Sequence, residues 1–280
     1  MLKQRIITAV LLLLVFLPAL FSSQPEWLAG LGLILIIAAA WEWGRLNGLG
    51  FIHSFTLSAC CVAIGFSLWL LGIAGKQTVT FWFSISIFWV FISAYFFKNG
   101  ISSWQNIHIA LRNCVGIVVL TGTGLALYQA KLIGTSFLTS TLMLVWVADI
   151  AAFFSGRRWG KNKLAPHISP GKSIEGLLGG ILGVWCLAFV WMTSVHWFPE
   201  MNDNIFNRLS VHGWPVLLVG LTFLTVMSAM GDLFESLIKR SAGVKDSSQL
   251  LPGHGGVLDR LDALLPVLPL AVLLSHFQVP

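Results

Sequence analysis

The 280-residue chain is 56% hydrophobic and only 10% charged, with a formal net charge of +6. Soluble domains carry about 25% charged residues, so this balance excludes an ordinary globular domain. The basic excess flanks apolar runs, as membrane topology requires, and is not read as a nucleic-acid surface.

Apolar runs near the roughly 20 residues that cross a bilayer recur from end to end. They predict an all-α, polytopic integral membrane protein with helices over 5–22, 27–46, 54–74, 78–97, 108–129, 134–155, 174–197, 213–235 and 260–277, nine in all. The first run follows Lys3 and Arg5 like a signal peptide, but no small-residue cleavage site precedes "SSQPEWLAG", so a retained helix is expected. Cys60, Cys61, Cys114 and Cys186 fall in apolar runs without metal-ligand or C-x-x-C spacing and read as small core residues.

With the N-terminus in the cytoplasm, every Lys and Arg except Lys76, Lys131 and Arg208 falls on the inner side, which satisfies the positive-inside rule. The carboxylates are skewed the same way. Glu42, Asp149, Glu175, Asp232, Glu235, Asp246, Asp259 and Asp262 are inner; Glu26, Glu200 and Asp203 are outer. Acidic residues contribute little to topology, so a cation-dependent site on the inner surface is the simplest cause. The chain divides into N-terminal helices (1–130) and a catalytic region (131–280) whose two inner loops, 156–173 and 236–259, are the most polar.

The run "DIAAFFSGRRWGKNKLAPHISPGKSIEG" starts at Asp149, an ionisable group near the end of an apolar helix, where it costs about 3 kcal/mol unless solvated, paired or metal-bound. Arg157, Arg158, Lys161, Lys163 and Lys172 follow, and Ser173 reads as the N-cap of the next helix. Backbone N–H groups at a helix start beside a lysine suit phosphate. "GKS" lacks the upstream glycine and strand of a Walker loop, so a P-loop is rejected.

The second run is "GDLFESLIKRSAGVKDSSQLLPGHGGVLDRLDAL". On a continuing helix, Asp232 and Ser236 share a face, with Lys239 and Arg240 one turn on. Asp259 and Asp262 share a face at the start of the last helix and repel unless something positive lies between them. The ordinary alternatives are an acidic helix N-terminus, with Arg260 as a snorkelling anchor and His254 in a solvated turn. Glu42, in "WEWGRL", is expected to pair with Arg45. Together, aspartates at inner helix ends between two basic, glycine-bearing loops read as metal-assisted phosphoryl or nucleotidyl transfer at the membrane surface.

The segment Ser236–Asp262, "SLIKRSAGVKDSSQLLPGHGGVLDRLD", resembles the C-terminal signature of the phosphatidate cytidylyltransferases, or CDP-diacylglycerol synthases, and the Asp149–Gly176 pattern is similar to theirs. The resemblance spans the chain and implies formation of CDP-diacylglycerol and pyrophosphate from CTP and phosphatidic acid, dependent on Mg²⁺, with K⁺ as a second cation. It implies metal contacts from Asp232 and Asp259, with Ser236 and Asp262 beside them. Catalytic roles fall to Asp232, Asp259, Lys239, Arg240 and Asp149. Substrate contacts fall to Arg157, Arg158, Lys161, Lys172, Ser173, Lys245, Asp246, His254, Gly255, Gly256 and Arg260. It further implies a bacterial inner membrane with a cytoplasmic active site, and a homodimer. The competing readings are a CTP-dependent polyprenol kinase and an ion-coupled transporter, the latter disfavoured because the acids cluster at one face rather than the midplane.

Overall fold

The computed structural model describes residues 2–73, 78–194 and 197–276. In chain order these form α1 (Leu2–Phe21), α2 (Pro25–Leu46), α3 (Phe51–Leu70), α4 (Val79–Gln105), α5 (Ile109–Ile133), α6 (Thr135–Trp159), β1 (Lys163–Ala165), β2 (Ser169–Ser173), α7 (Ile174–Ser194), a 3₁₀ turn (Pro199–Met201), α8 (Ile205–Ser210), α9 (Trp214–Ser241), α10 (Leu258–Leu261) and α11 (Leu264–Ser275). Among the described residues, eight helices are long and apolar enough to span a bilayer: α1 to α7 and α9. Lys76, the side chain of Lys3, and the expected span residues 74, 195, 196 and 277 lie outside what is described.

The ninth expected span is different. It forms α10 and α11, joined through Asp262 and Ala263, which keep a right-handed helical backbone. By itself α11 has 12 residues, about 18 Å of helix, so among the described residues this run is not one of the eight. Pro266 and Pro269 remove backbone donors from this stretch. Its residues from Leu265 to Leu273 are buried on every face, and it packs against α4, α5 and α9. Protein, rather than lipid, surrounds it. The expected line between 1–130 and 131–280 is crossed by these contacts.

Two features set the position of the polar residues. The first is a seam of small residues between α6 and α7, the most extensive helix pair in the bundle. A Cβ on Gly176 or Gly180 would stand 2.9 Å from the Ala152 carbonyl or 3.0 Å from that of Ala148, and one on Gly183 would stand 2.6 Å from the Ala151 methyl. The backbones therefore touch, as small residues at one-turn spacing permit in membranes. The second is an aromatic cage around Phe234 of α9. The rings of Trp43, Trp89, Phe96 and Trp104 lie 6.1, 5.7, 5.7 and 5.5 Å from it. Trp104 reaches the cage because Gly100, at φ 72°, turns α4 out of its helical path. Its indole then donates to Asn47 Oδ1 at 2.9 Å.

Two of the three cations expected on the outer side have internal partners. Lys131 is buried and donates to the Leu20 carbonyl and Thr135 Oγ1, both at 2.6 Å. Arg208 pairs with Asp203 at 2.5 Å and lies over the Phe137 ring. All four cysteines are free. Only Cys61 is buried; Cys60, Cys114 and Cys186 are exposed on the bundle surface, not in the core as expected.

Candidate active site

The end of the bundle opposite Lys131 gathers the C-terminal ends of α2, α4, α6 and α9 and the N-terminal ends of α1, α7 and α10. An antiparallel hairpin, β1 paired with β2, joins α6 to α7 there. Strand pairing was not expected in this loop. Glu175, in the first turn of α7, closes the hairpin by accepting from the backbone N–H of Asn162 at 3.1 Å and from its amide at 2.8 Å. Ser173 acts as the predicted cap: its buried hydroxyl accepts from the Gly176 N–H at 3.1 Å.

The hairpin delivers Lys172 to α9. Its ammonium lies 2.6 Å from Asp232 Oδ2 and donates to the Ala229 carbonyl at 3.3 Å. Ser236 Oγ donates to Asp232 Oδ1 at 3.2 Å, so the predicted shared face exists. Asp149 and Asp262 are close enough to Asp232 and Lys172 for their charges to act on one another. Asp232 is thus paired with Lys172, Asp149 lines the same cleft, and the Asp262 carboxyl lies within electrostatic range of both. Desolvation first, and the Asp232 charge second, hold the Asp262 carboxyl above the usual carboxylate range.

A second lysine centre adjoins the first. Lys239 Nζ lies 2.5 Å from both Glu235 Oε2 and Asp259 Oδ1, with all three side chains largely buried. The other oxygen of Asp259 accepts from Ser247 N at 2.9 Å and from Gly256 N at 2.8 Å, and Ser247 Oγ lies 2.9 Å from it. Burial raises the Asp259 carboxyl, but the Lys239 ammonium and the Gly256 and Ser247 N–H groups outweigh it and hold it at about 2. Of the four expected metal contacts, Asp232, Ser236 and Asp262 share the Lys172 centre. Asp259 belongs to the Lys239 centre, because its short side chain is directed into the turn that precedes it.

The H-G-G run is folded around these acids. Gly255 has φ 84°, a conformation that disfavours a side chain, and a Cβ there would also stand 2.8 Å from Asp259 Oδ2. Gly256 leaves no room for a Cβ against Ser247 Oγ and Glu42 Oε1. Glu42 is the principal residue that the sequence reading misplaced. It does not pair with Arg45, which donates to the Leu49 carbonyl at 3.2 Å. It is fully buried and accepts from residues of the 247–258 segment. Its position as an acid inside an apolar helix was the available signal. Glu235 was likewise counted among the inner acids without a role.

The remaining predicted residues are spread around these centres. Arg157 lines a cleft of about 560 Å³ with Asp149, Lys172, Ser173 and Asp232, walled by α6, α7, α9 and the hairpin; Lys163, not expected to contribute, also lines it. That volume suits a nucleotide or a lipid headgroup. Phe153 on the same wall is 60% exposed on the outer surface of the bundle. Arg158, Lys161, Arg240, Lys245 and Asp246 are exposed. Arg240 donates to the Val244 carbonyl at 3.1 Å, and Arg260 folds back onto the carbonyl of His254. The backbones of Gly255 and Leu251 pair across the turn that holds His254. Among the described residues, no three His, Cys, Asp or Glu side chains converge tightly enough to enclose a metal ion unaided.

A chemistry that joins anions at a lysine-balanced acidic site matches what the chain resembles. The model of the cytidylyltransferase family matches residues 3–278. A phosphatidate cytidylyltransferase of Pseudomonas aeruginosa is 33% identical over 274 residues, covering 96% of this chain and 95% of the relative. One from Haemophilus influenzae is 32% identical over 311 residues, and one from Staphylococcus haemolyticus 31% over 276, each covering 96% of both chains. With the match running almost from end to end, the chain belongs to the cytidylyltransferase family.

Proposed function

We propose that the protein is a membrane nucleotidyltransferase that makes CDP-diacylglycerol and pyrophosphate from CTP and phosphatidic acid. The observation that carries this is a cleft of nucleotide size lined by Asp149, Arg157, Lys163, Lys172 and Asp232, with a second lysine-balanced acidic centre beside it on α9 and α10. A phosphate oxygen of phosphatidic acid attacks the α-phosphorus of CTP. The new P–O bond forms as the bond from the α-phosphorus to the bridging oxygen breaks, and pyrophosphate leaves with the electron pair. The nucleophile is already anionic, so the chain need not supply a strong base. Its task is to hold two polyanions together. Lys172, Arg157 and Lys163, which line the cleft, would neutralise phosphate oxygens, while the acyl chains stay in the bilayer. The lysine and arginine distribution supports a cytoplasmic location for this end, and the bacterial relatives fit an inner membrane.

The donor set fits Mg²⁺, which favours a few carboxylates completed by water and substrate phosphate rather than an all-protein cage. Asp232, Ser236 and Asp262, with Asp149 nearby, would hold it, while Asp259 already has the Lys239 ammonium as its cation, so a second ion such as K⁺ would have to displace that lysine. When bound, Mg²⁺ supplies positive charge to the phosphates as negative charge shifts to the leaving pyrophosphate.

The test is purified protein with phosphatidic acid, Mg²⁺ and CTP labelled at either the α or the γ position. Label from the α position is expected in the lipid, with release of pyrophosphate. Lipid labelled only from the γ position would instead establish a lipid kinase. Lys172→Ala is expected to lower kcat/KM for CTP or phosphatidic acid about 10- to 100-fold, the worth of one charge-assisted contact. Its pair with Asp232 is partly exposed, so little loss of thermal stability accompanies the change. Unchanged kinetics would make the hairpin a topology signal alone.

A further inference from the structure

Glu42 stands on α2, in the half of the chain that supplies no other member of the two lysine centres. Each of its carboxylate oxygens takes one main-chain N–H and one serine hydroxyl. Oε1 accepts from Val257 N at 2.9 Å and Ser248 Oγ at 2.5 Å; Oε2 accepts from Leu258 N at 2.7 Å and Ser247 Oγ at 3.0 Å. The side chain is 0% exposed. We infer that Glu42 is a positioning residue for the transfer reaction, fixing the 247–258 segment and the start of α10 so that Asp259 meets Lys239. This rests on the nucleotidyl-transfer reading above.

Three observations support it. The N–H groups of Val257 and Leu258 are among the donors at the start of α10 that have no intrahelical partner, and Val257 offers no side-chain cap of its own. Glu42 supplies the cap from another helix. Ser247 Oγ is within hydrogen-bonding distance of both Glu42 Oε2 and Asp259 Oδ2, at 3.0 and 2.9 Å, so the two acids hold one turn between them. Gly256 leaves no space for a side chain between Ser247 and Glu42, so the glycine and the acid fit one another.

The pattern of donors makes the residue type specific. A glutamine has one accepting oxygen and one donating nitrogen. Because both oxygens of Glu42 face a main-chain N–H, either orientation of the amide sets donor against donor. Hydroxyls can rotate to accommodate it, but backbone N–H groups cannot. An alanine leaves both main-chain donors buried and unpaired. Glu42 touches neither lysine, so its effect passes through the loop and not through the charge of the centres.

The experiment compares the intact protein with Glu42→Gln, Glu42→Ala and the milder Ser248→Ala. It combines hydrogen exchange read by mass spectrometry with steady-state kinetics for CTP and phosphatidic acid. In Glu42→Gln, amide exchange across 247–258 is expected to rise about tenfold or more, with α6 and α7 peptides unchanged, as local opening of one segment does. kcat should fall at least as much, with a smaller change in KM. Ser248→Ala is expected to shift both readouts in the same direction by less. Wild-type exchange in 247–258, or wild-type kcat, in the Gln variant would overturn the inference. Faster exchange throughout the bundle in both Glu42→Gln and Ser248→Ala would also overturn it, since Glu42 would then support the whole fold. Loop release in the variants alongside a wild-type protein that makes no nucleotidyl product would leave the clamp standing and remove the reaction assigned to it.

Discussion

Asp232→Asn is expected to cut turnover about a hundred- to a thousandfold, the scale seen when one preorganised electrostatic contact is removed from a transfer site. Asp232 is the residue on which the Lys172 centre converges: Lys172 meets one oxygen, Ser236 the other, and Asp149 and Asp262 lie within electrostatic reach. Asparagine keeps the shape and removes the charge, so the centre loses an anionic oxygen for a cation and leaves Lys172 less balanced. The Asp232 side chain is 32% exposed, and a pair of that kind adds little to stability. The expected signature is therefore a protein that inserts and melts normally but releases almost no pyrophosphate. Activity above about a tenth of wild type would remove Asp232 from the reaction, because it corresponds to less than about 1.4 kcal/mol of transition-state stabilisation.

The opposite signature is expected at Phe234. Truncation to alanine empties the centre of the aromatic cage and is expected to cost about 3–5 kcal/mol, the range for a buried phenylalanine. Trp43 from α2, Trp89, Phe96 and Trp104 from α4 all lose a partner at once. Phe234 stands two residues from Asp232 and next to Glu235, so the damage reaches both lysine centres. Unfolding in detergent, followed by intrinsic tryptophan fluorescence, measures it, and Phe234→Leu should recover some of the loss. A melting temperature in Phe234→Ala within a degree or two of wild type would show that α9 is held by its backbone packing alone.

Much of this was legible in the sequence because the membrane imposes strong rules. Hydrocarbon thickness dictates helix length, and basic residues mark one side. Helical spacing placed Asp232 and Ser236 on one face, and the cap at Ser173 follows from hydroxyl chemistry at a helix start. What stayed hidden was long-range or ambiguous. Glu42 finds Ser247 across 205 residues, while its near neighbour Arg45 offered a local partner that the fold does not use. The burial of the last apolar run was not legible, because a helix surrounded by protein and one surrounded by lipid share the same composition. Its two prolines and the acids at its head were the better guide. The hairpin was missed because strands of three and five residues, one containing proline, carry no periodic signal. Asp259 was recognised as important, but its engagement with Ser247 and Gly256 depends on a turn that spacing alone does not define.

The backbone contact between α6 and α7 has a mechanical consequence. No hydrocarbon tail can wedge itself between helices whose main chains already touch, so a two-tailed molecule reaching the cleft must come from a side other than the α6–α7 seam. The close contact makes the α6–α7 pair one stiff unit. Asp149 therefore rides on that stiff pair, and the acid that completes the centre, Asp232, is brought to it by a separate helix, α9.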